Sequence, residues 1–184
     1  MSARDEMLNW SEQKNKNTWD AKRRYAQTLE ELFDGNVRYL KILKNKDEQA
    51  VKDGFQATVD FTFEKNMGLL RKLSVALFTP IARKLVLKQI IASFFKEMQH
   101  VVRLDCIQKI EFNSNSVEII IDKCTGKRAW KLGLKNNQAT ELFTEEDYCN
   151  YSCIPLLNKF LGLVNAENTV ELQKRGCHHK IGIQ

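Results

Sequence analysis

The stretch CIQKIEFNSNSVEIIID, residues 106–122, marks a change of hydrophobic period in the second half of the chain. Val117, Ile119 and Ile121 occupy every second position, which is the spacing of a β-strand with one buried face. The NSN at residues 113–115 supplies the Asn and Ser side chains that favour turns. The stretch therefore predicts a β-hairpin.

The chain before this hairpin shows the period of helices instead. Apolar residues at helical spacing predict helices over residues 3–33, 36–52 and 55–78. The breaks between them are expected at Gly35 and Gly54, because glycine commonly ends a helix.

A further helix is predicted from Pro80 onward, because proline fits the first turn of a helix, where its missing N–H costs nothing. The apolar residues that follow cover much of the helix circumference, which is typical of a central helix. They are Ile81, Leu85, Val86, Ile90, Phe94, Phe95 and Met98.

After the hairpin, the pattern predicts a helix over residues 155–163 and two short strands over 168–174 and 177–183. We therefore expect an α+β fold, in which a helical N-terminal half is followed by a small antiparallel sheet with a helix inserted between hairpins. The expected domains are an N-terminal helical extension, 1–54, and an α+β ligand- or metal-binding domain, 55–184.

Composition and charge narrow the class of protein. With 184 residues, 43% of them hydrophobic and 28% charged, the chain suits a globular domain. The net charge of +6 is mild. The basic residues of 71–88 are separated by apolar residues that suit a core, so they are expected on the solvated face of a helix. A nucleic-acid binder usually has a denser basic face, so nucleic acid is not an expected partner.

Neither a targeting segment nor a membrane span is predicted. Residues 1–17 carry charges throughout, unlike a signal peptide, and the longest uncharged run in the middle of the chain, residues 73–82, is too short to cross a bilayer. We therefore expect a cytoplasmic protein in which the five cysteines are reduced.

Two cysteines, Cys149 and Cys153, lie four residues apart just before Pro155. If both are on one helix, this spacing places both sulfurs on the same face. In a second geometry the helix begins at Pro155 and Cys153 lies just before it, where free N–H groups and the helix dipole would stabilise a thiolate. A nucleophile and a metal ligand both use a lowered thiol pKa, so this feature does not separate them.

The run Cys177-His178-His179 adds further donors on a predicted strand. Neighbouring strand residues point to opposite faces, so Cys177 and His179 are expected to face one way and His178 the other.

Clustered cysteines in a reducing compartment indicate metal or redox chemistry more often than disulfides. A set of Cys149, Cys153 and Cys177, completed by His179 or Cys124, offers the four donors of a closed zinc site. An all-cysteine set would suit an iron–sulfur cluster. The leading hypothesis is therefore a metal- or small-molecule-binding domain with a pocket lined by these residues.

Two other interpretations of the same cysteines remain open. They could be reduced packing residues of the core. They could also be catalytic, with Cys153 or Cys149 as nucleophile and His179 or His178 as its base, attacking a carbon–nitrogen or carbon–sulfur bond. Cys153 and His179 are the catalytic pair that this hydrolase hypothesis selects.

A third function class uses the helices instead of the cysteines. The basic helices at 71–88 and the charged N-terminal helix would serve an adaptor or nucleic-acid-associated protein. The long first helix needs cover for its apolar stripe, which is consistent with a homodimer formed through that helix.

The second half resembles a known superfamily in three motifs: SVEIIIDKC at 116–124, DYCNYSC at 147–153 and TVELQKRGCHHKIGI at 169–183. It is similar to the small-molecule-binding superfamily that joins the four-vinyl-reductase domain with the aminothiazoline-carboxylate hydrolase-like proteins. The resemblance covers roughly residues 105–184.

In that superfamily a glycine turn, a cysteine and a hydrophobic strand close the chain. Here Gly176 matches the turn, Cys177 or His179 takes the place of the cysteine, and Cys124 matches the cysteine after the hairpin. The resemblance implies a cytosolic α+β domain with a pocket between helices and sheet. That pocket would bind a small organic ligand or a metal, and in some members it hydrolyses a heterocycle.

Overall fold

The computed structural model describes residues 21–113 and 115–183. Residues 3–20 of the predicted first helix therefore lie outside the described residues. The α-helices are α1 (Ala21–Lys44), α2 (Glu48–Asn66), α3 (Leu69–Glu97), α4 (Thr125–Asn136) and α5 (Ile154–Gly162). The strands are β1 (Ile107–Phe112), β2 (Ser116–Ile121), β3 (Ala166–Leu172) and β4 (Cys177–Ile183).

The four strands form one antiparallel sheet in the order β1-β2-β4-β3. Both predicted hairpins are present, and so is the predicted α+β class. Val117, Ile119 and Ile121 of β2 are buried on the core face, as their spacing predicts. One face of the sheet packs against the core, and that face carries Cys177 and His179, the candidate site residues of β4.

The predicted helix breaks at Gly35 and Gly54 are wrong, because α1 and α2 run through them. The chain turns instead just before Asp47, whose side chain accepts a hydrogen bond from the backbone N–H of Gln49 (2.9 Å) and so caps α2. Gly54 serves packing: a Cβ there would lie 3.3 Å from Cδ1 of Leu43, so the glycine lets α2 approach α1 closely.

Helix α1 packs against α4. Phe33 and Val37 are buried, and a Cβ at Gly133 of α4 would lie 3.1 Å from the carbonyl oxygen of Phe33. Residue 54, the expected end of an N-terminal extension, lies inside α2.

Helix α3 also differs from its prediction. It begins at Leu69 rather than at Pro80, and the proline lies inside it. Proline removes one backbone donor and clashes with the preceding turn, which bends the helix. The bend shows at Ala82, where φ is −139° and ψ is 46°. The half after the bend is central, with Ile90 and Phe94 buried, whereas Ile81 beside the bend is 83% exposed.

Candidate functional site

Four cysteines from three parts of the chain lie within electrostatic range of one another, although no three of them are placed to hold one ion. We call Cys124, Cys149, Cys153 and Cys177 the thiol cluster. Burial is the main cause that raises the pKa of Cys153, and the charges of Cys124, Cys149 and Cys177 raise it further. All four belong to the metal site that the sequence predicts.

Each thiol lies at the end or beginning of an element. Cys124 directly precedes α4, and Cys177 begins β4, where it pairs with Ile121 of β2. Cys149 and Cys153 bound a single π-helical turn that runs directly into α5. Such turns inside helices occur frequently at functional sites.

The second predicted geometry, with Cys153 outside the helix, is therefore wrong. Cys153 has helical backbone angles (φ −65°, ψ −49°), and Ile154, the residue before Pro155, is helical as well. The thiol that lies at a helix N-terminus is Cys124. Burial raises its pKa, and hydrogen bonds from the N–H groups of Lys127 and Gly126 offset only part of this rise.

Burial opposes ionisation throughout the thiol cluster. Desolvation raises the pKa of Cys149 to about 11 and that of Cys177 to about 12. The same cause raises the pKa of Cys124, and that of Cys153 lies well above its usual value. A stabilised thiolate was expected at Cys153, but all four groups are thiols at neutral pH.

Cys177 and His179 are in direct contact, with Sγ and Nε2 3.2 Å apart. Both are buried on the core face of β4, while His178 faces the other way and its Nε2 lies 2.8 Å from Oε1 of Glu118. This confirms the predicted alternation along the strand. It also pairs His179 with Cys177 rather than with Cys153, which was the expected catalytic partner.

Two asparagines fix the imidazole of His179. Asn168 of β3 donates from Nδ2 to Oδ1 of Asn158 (2.8 Å), so its own Oδ1 is free to accept from Nδ1 of His179 (3.2 Å). That leaves the lone pair of Nε2 facing the Cys177 thiol. Burial, and secondarily the charge of His178, lower the pKa of His179 to about 4, so the ring is neutral.

The donors do not form a metal site as they stand. Over residues 21–113 and 115–183, no three His, Cys, Asp or Glu side chains are placed to hold one ion. The zinc or iron–sulfur site of Cys124, Cys149, Cys153, Cys177 and His179 stays a prediction.

A cavity of about 370 Å³ opens beside the thiol cluster, between the start of α4 and the β3–β4 turn. We call it the basic cleft. Its lining contains six basic side chains and one carboxylate, a net charge of +5. The lining residues are Lys123, Cys124, Thr125, Lys127, Arg128, Lys131, Glu145, Lys174 and Arg175.

Few of these cations are neutralised. Lys131 pairs with Glu145 (2.5 Å) and Arg175 lies 3.5 Å from Asp122. Among the salt bridges of the described residues, none involves the other four basic residues of the cleft. They are Lys123, Lys127, Arg128 and Lys174.

Lys127 joins the basic cleft to the thiol cluster. Its side chain is only 4% exposed, and Nζ donates to the carbonyl oxygen of Gln173 (2.7 Å). Its charge lowers the pKa of both Cys149 and Cys177, although burial outweighs this effect. Burying a cation at this depth costs free energy unless its remaining N–H donors find acceptors.

Sequence reasoning missed this cleft. A signal was present in the basic residues of KCTGKRAWK, 123–131, and in the KR pair at 174–175. The basic residues that drew attention, at 71–88, serve packing in part: the Arg83 guanidinium donates to the carbonyl oxygens of Val164 (2.6 Å) and Asn165 (2.9 Å).

The chain matches no protein-family model, no curated protein and no solved structure. No helix within its described part is both long enough and apolar enough to cross a membrane.

Proposed function

We propose that this protein is a small-molecule-binding domain and that its ligand is a small organic anion held in the basic cleft. The observation that carries the proposal is a concave site with a net charge of +5, built from two segments that the fold brings together. Its volume of about 370 Å³ fits a metabolite-sized ligand.

The shape of the site favours a small ligand over a nucleic acid. The basic residues converge on one cavity from residues 123–131 and 174–175. A nucleic-acid site would instead need a basic stripe that follows a phosphate backbone across the surface. Carboxylate is a suitable anion, because the arginines can bind it through two parallel hydrogen bonds.

The buried end of the cleft supplies specificity. Lys127 is held by its hydrogen bond to Gln173, so its ammonium group is fixed before a ligand arrives. Cys124 lines the same wall and connects the ligand to the thiol cluster. A bound anion would offset the Lys127 charge, and this would raise the pKa of Cys149 and Cys177 further.

We expect benzoate to bind this cleft and its neutral isostere benzamide to bind about tenfold more weakly or not at all, since only benzoate gains charge-assisted hydrogen bonds. The double variant Arg128→Gln, Lys174→Gln should bind benzoate about tenfold more weakly than the wild-type protein does, as measured by calorimetry at low salt. Both side chains are exposed, so the fold should tolerate the change.

The matched control is Lys135→Gln, Lys180→Gln. It also removes two positive charges, but at exposed positions outside the cleft. It should leave benzoate binding nearly unchanged. Equal binding of benzoate and benzamide, or an equal loss in the control variant, would contradict the proposal.

A second candidate function, thiol-dependent hydrolysis, is favoured by the Cys177–His179–Asn168 arrangement. A nucleophilic thiol, a base and an amide that orients the base are the parts of a cysteine hydrolase. As sulfur attacks an electrophilic carbon, its proton would pass to Nε2 of His179. The imidazolium would return that proton to the leaving group, and water would then release the bound product from sulfur.

Anion binding has the better support because His179, with a pKa near 4, is a weak base for a thiol whose pKa is about 12. The hydrolase candidate predicts that iodoacetamide alkylates Cys177 fastest of the five thiols. It also predicts that His179→Gln slows this reaction about tenfold, whereas His178→Gln does not. Peptide mass spectrometry over time measures each rate, and uniformly slow labelling would exclude this candidate.

A further inference from the structure

A second cavity lies where α3 bends past α5 and the end of α2. It has a volume of about 180 Å³ and shares no residue with the basic cleft or the thiol cluster. We call it the apolar cavity. Its lining residues are Asn66, Met67, Ser74, Val75, Val86, Gln89, Ile90, Ser93, Phe94, Met98, Leu156 and Phe160.

The bend of α3 accounts for the cavity. Val75, before the bend, and Ile90, after it, both line the same space. In a straight helix they would be separated by about 22 Å along the axis, at 1.5 Å per residue. The departure from helical geometry at Ala82 lets the two halves of α3 face one cavity. Leu156 and Phe160 of α5 close its inner side.

The chemistry of the lining defines the class of ligand. Eight of the twelve lining residues are apolar, and the other four carry an amide or a hydroxyl group. Among the described residues that line it none is charged, so an ionic ligand would find no opposite charge there to offset the hydration it gives up. Phe94, Phe160 and the thioethers of Met67 and Met98 favour contact with an aromatic ring.

The volume limits the ligand to about one ring. An apolar cavity of roughly 150 Å³ in another protein holds benzene. At about 180 Å³, this one has room for a ring with a small substituent. The hydroxyl of Ser93 and the amide of Gln89 lie on its wall and can meet one polar group.

We propose that the apolar cavity is a second ligand site, which takes an uncharged single-ring compound carrying one hydroxyl or amide group. This site is independent of the anion-binding function. The protein would thus bind two ligands of opposite character, one charged and one neutral, at separate places.

The direct test uses the wild-type protein with ¹³C-methyl-labelled methionine and benzyl alcohol as probe. The methyl signals of Met67 and Met98 should shift in a saturable way during titration. Benzylammonium, which has a similar ring but a charge, should shift them only at concentrations about tenfold higher or more. Absence of a saturable shift with benzyl alcohol, or equal effects of the two probes, would overturn the proposal.

Two variants localise the site. Ser93→Phe fills the cavity and should weaken benzyl alcohol binding about tenfold or more. Ala92→Phe adds the same ring one residue away, at an exposed position of α3 outside the cavity, and should have no effect. A cooperative urea unfolding transition like that of the wild type shows that each variant is folded. Unchanged benzyl alcohol binding in Ser93→Phe would refute the location.

Discussion

Replacing Gly176 with alanine should destabilise the protein by about 3 kcal/mol or more, because the new Cβ has no room. An ideal Cβ at this position would lie 1.9 Å from the carbonyl oxygen of Ile121 and 2.8 Å from its carbonyl carbon. Both atoms belong to the backbone of β2, so no side-chain rotation can relieve the overlap. The strand or the turn would have to move.

The position of Gly176 connects this stability effect to the site. The turn at 173–176 is held by the N–H of Gln173, which donates to the carbonyl oxygen of Gly176 (3.0 Å), and by the N–H of Cys124, which donates to that of Arg175 (2.8 Å). Movement of the turn would therefore displace Lys174 and Arg175 from the basic cleft. A folded Gly176→Ala protein should also bind benzoate more weakly.

Gly35→Ala is the matched control. No atom lies within 4 Å of a Cβ at Gly35, which is inside α1. Alanine there should stabilise the protein by about 0.5–1 kcal/mol, because glycine loses more conformational freedom in a helix. Urea unfolding of both variants measures the two changes. A Gly176→Ala variant as stable as wild type would show that the turn does not approach β2 closely.

The free energy of unfolding should fall by about 3 kcal/mol between pH 7 and pH 4 through His179 alone. Burial holds its folded pKa at about 4, below the value of 6.5 expected in the unfolded chain. The unfolded state therefore binds a proton that the folded state does not bind. Stability is lost as the pH drops below 6.5, and the loss levels off below pH 4.

The thiols give the opposite dependence at alkaline pH. Their folded pKa values of about 11 for Cys149 and about 12 for Cys177 lie above the unfolded value of 9.0. Their contribution is complete below pH 9 and is lost as the pH rises through the folded values. Through these two thiols together, the free energy of unfolding should fall by about 5 kcal/mol between pH 9 and pH 11. Maximal stability is expected between about pH 6.5 and pH 9.

Urea unfolding at a series of pH values measures this profile. His179→Gln should flatten the acid side, since glutamine does not titrate, whereas His178→Gln should retain most of it. His178 is less buried and lies beside Glu118. An acid slope that survives in His179→Gln would mean that another group carries it.

The sheet was predictable because its signal is local. The two-residue period of β2 and the turn residues beside it are read from a few consecutive positions. The helix boundaries failed because glycine has two uses: Gly54 permits a close helix crossing, not a helix end. Helix α4 carries no specific signal at its start, where Cys124 makes no side-chain cap.

The candidate site was predictable only in part, because only some of its residues have a local sequence signal. Cysteine spacing pointed to the thiol cluster, and strand alternation placed Cys177 beside His179. The basic cleft depends on residues 123–131 meeting residues 174–175. Only the strand order of the sheet brings them together, and a single sequence does not show it.

The enclosure of the cysteines has a practical consequence for work with the purified protein. All five are unbridged, and four of them are buried. Once the chain opens, these sulfurs become available for air oxidation and cross-linking between molecules. Heating without a reductant would then be a one-way process whose midpoint depends on scan rate. Reversible measurements need a thiol reagent in the buffer from the start.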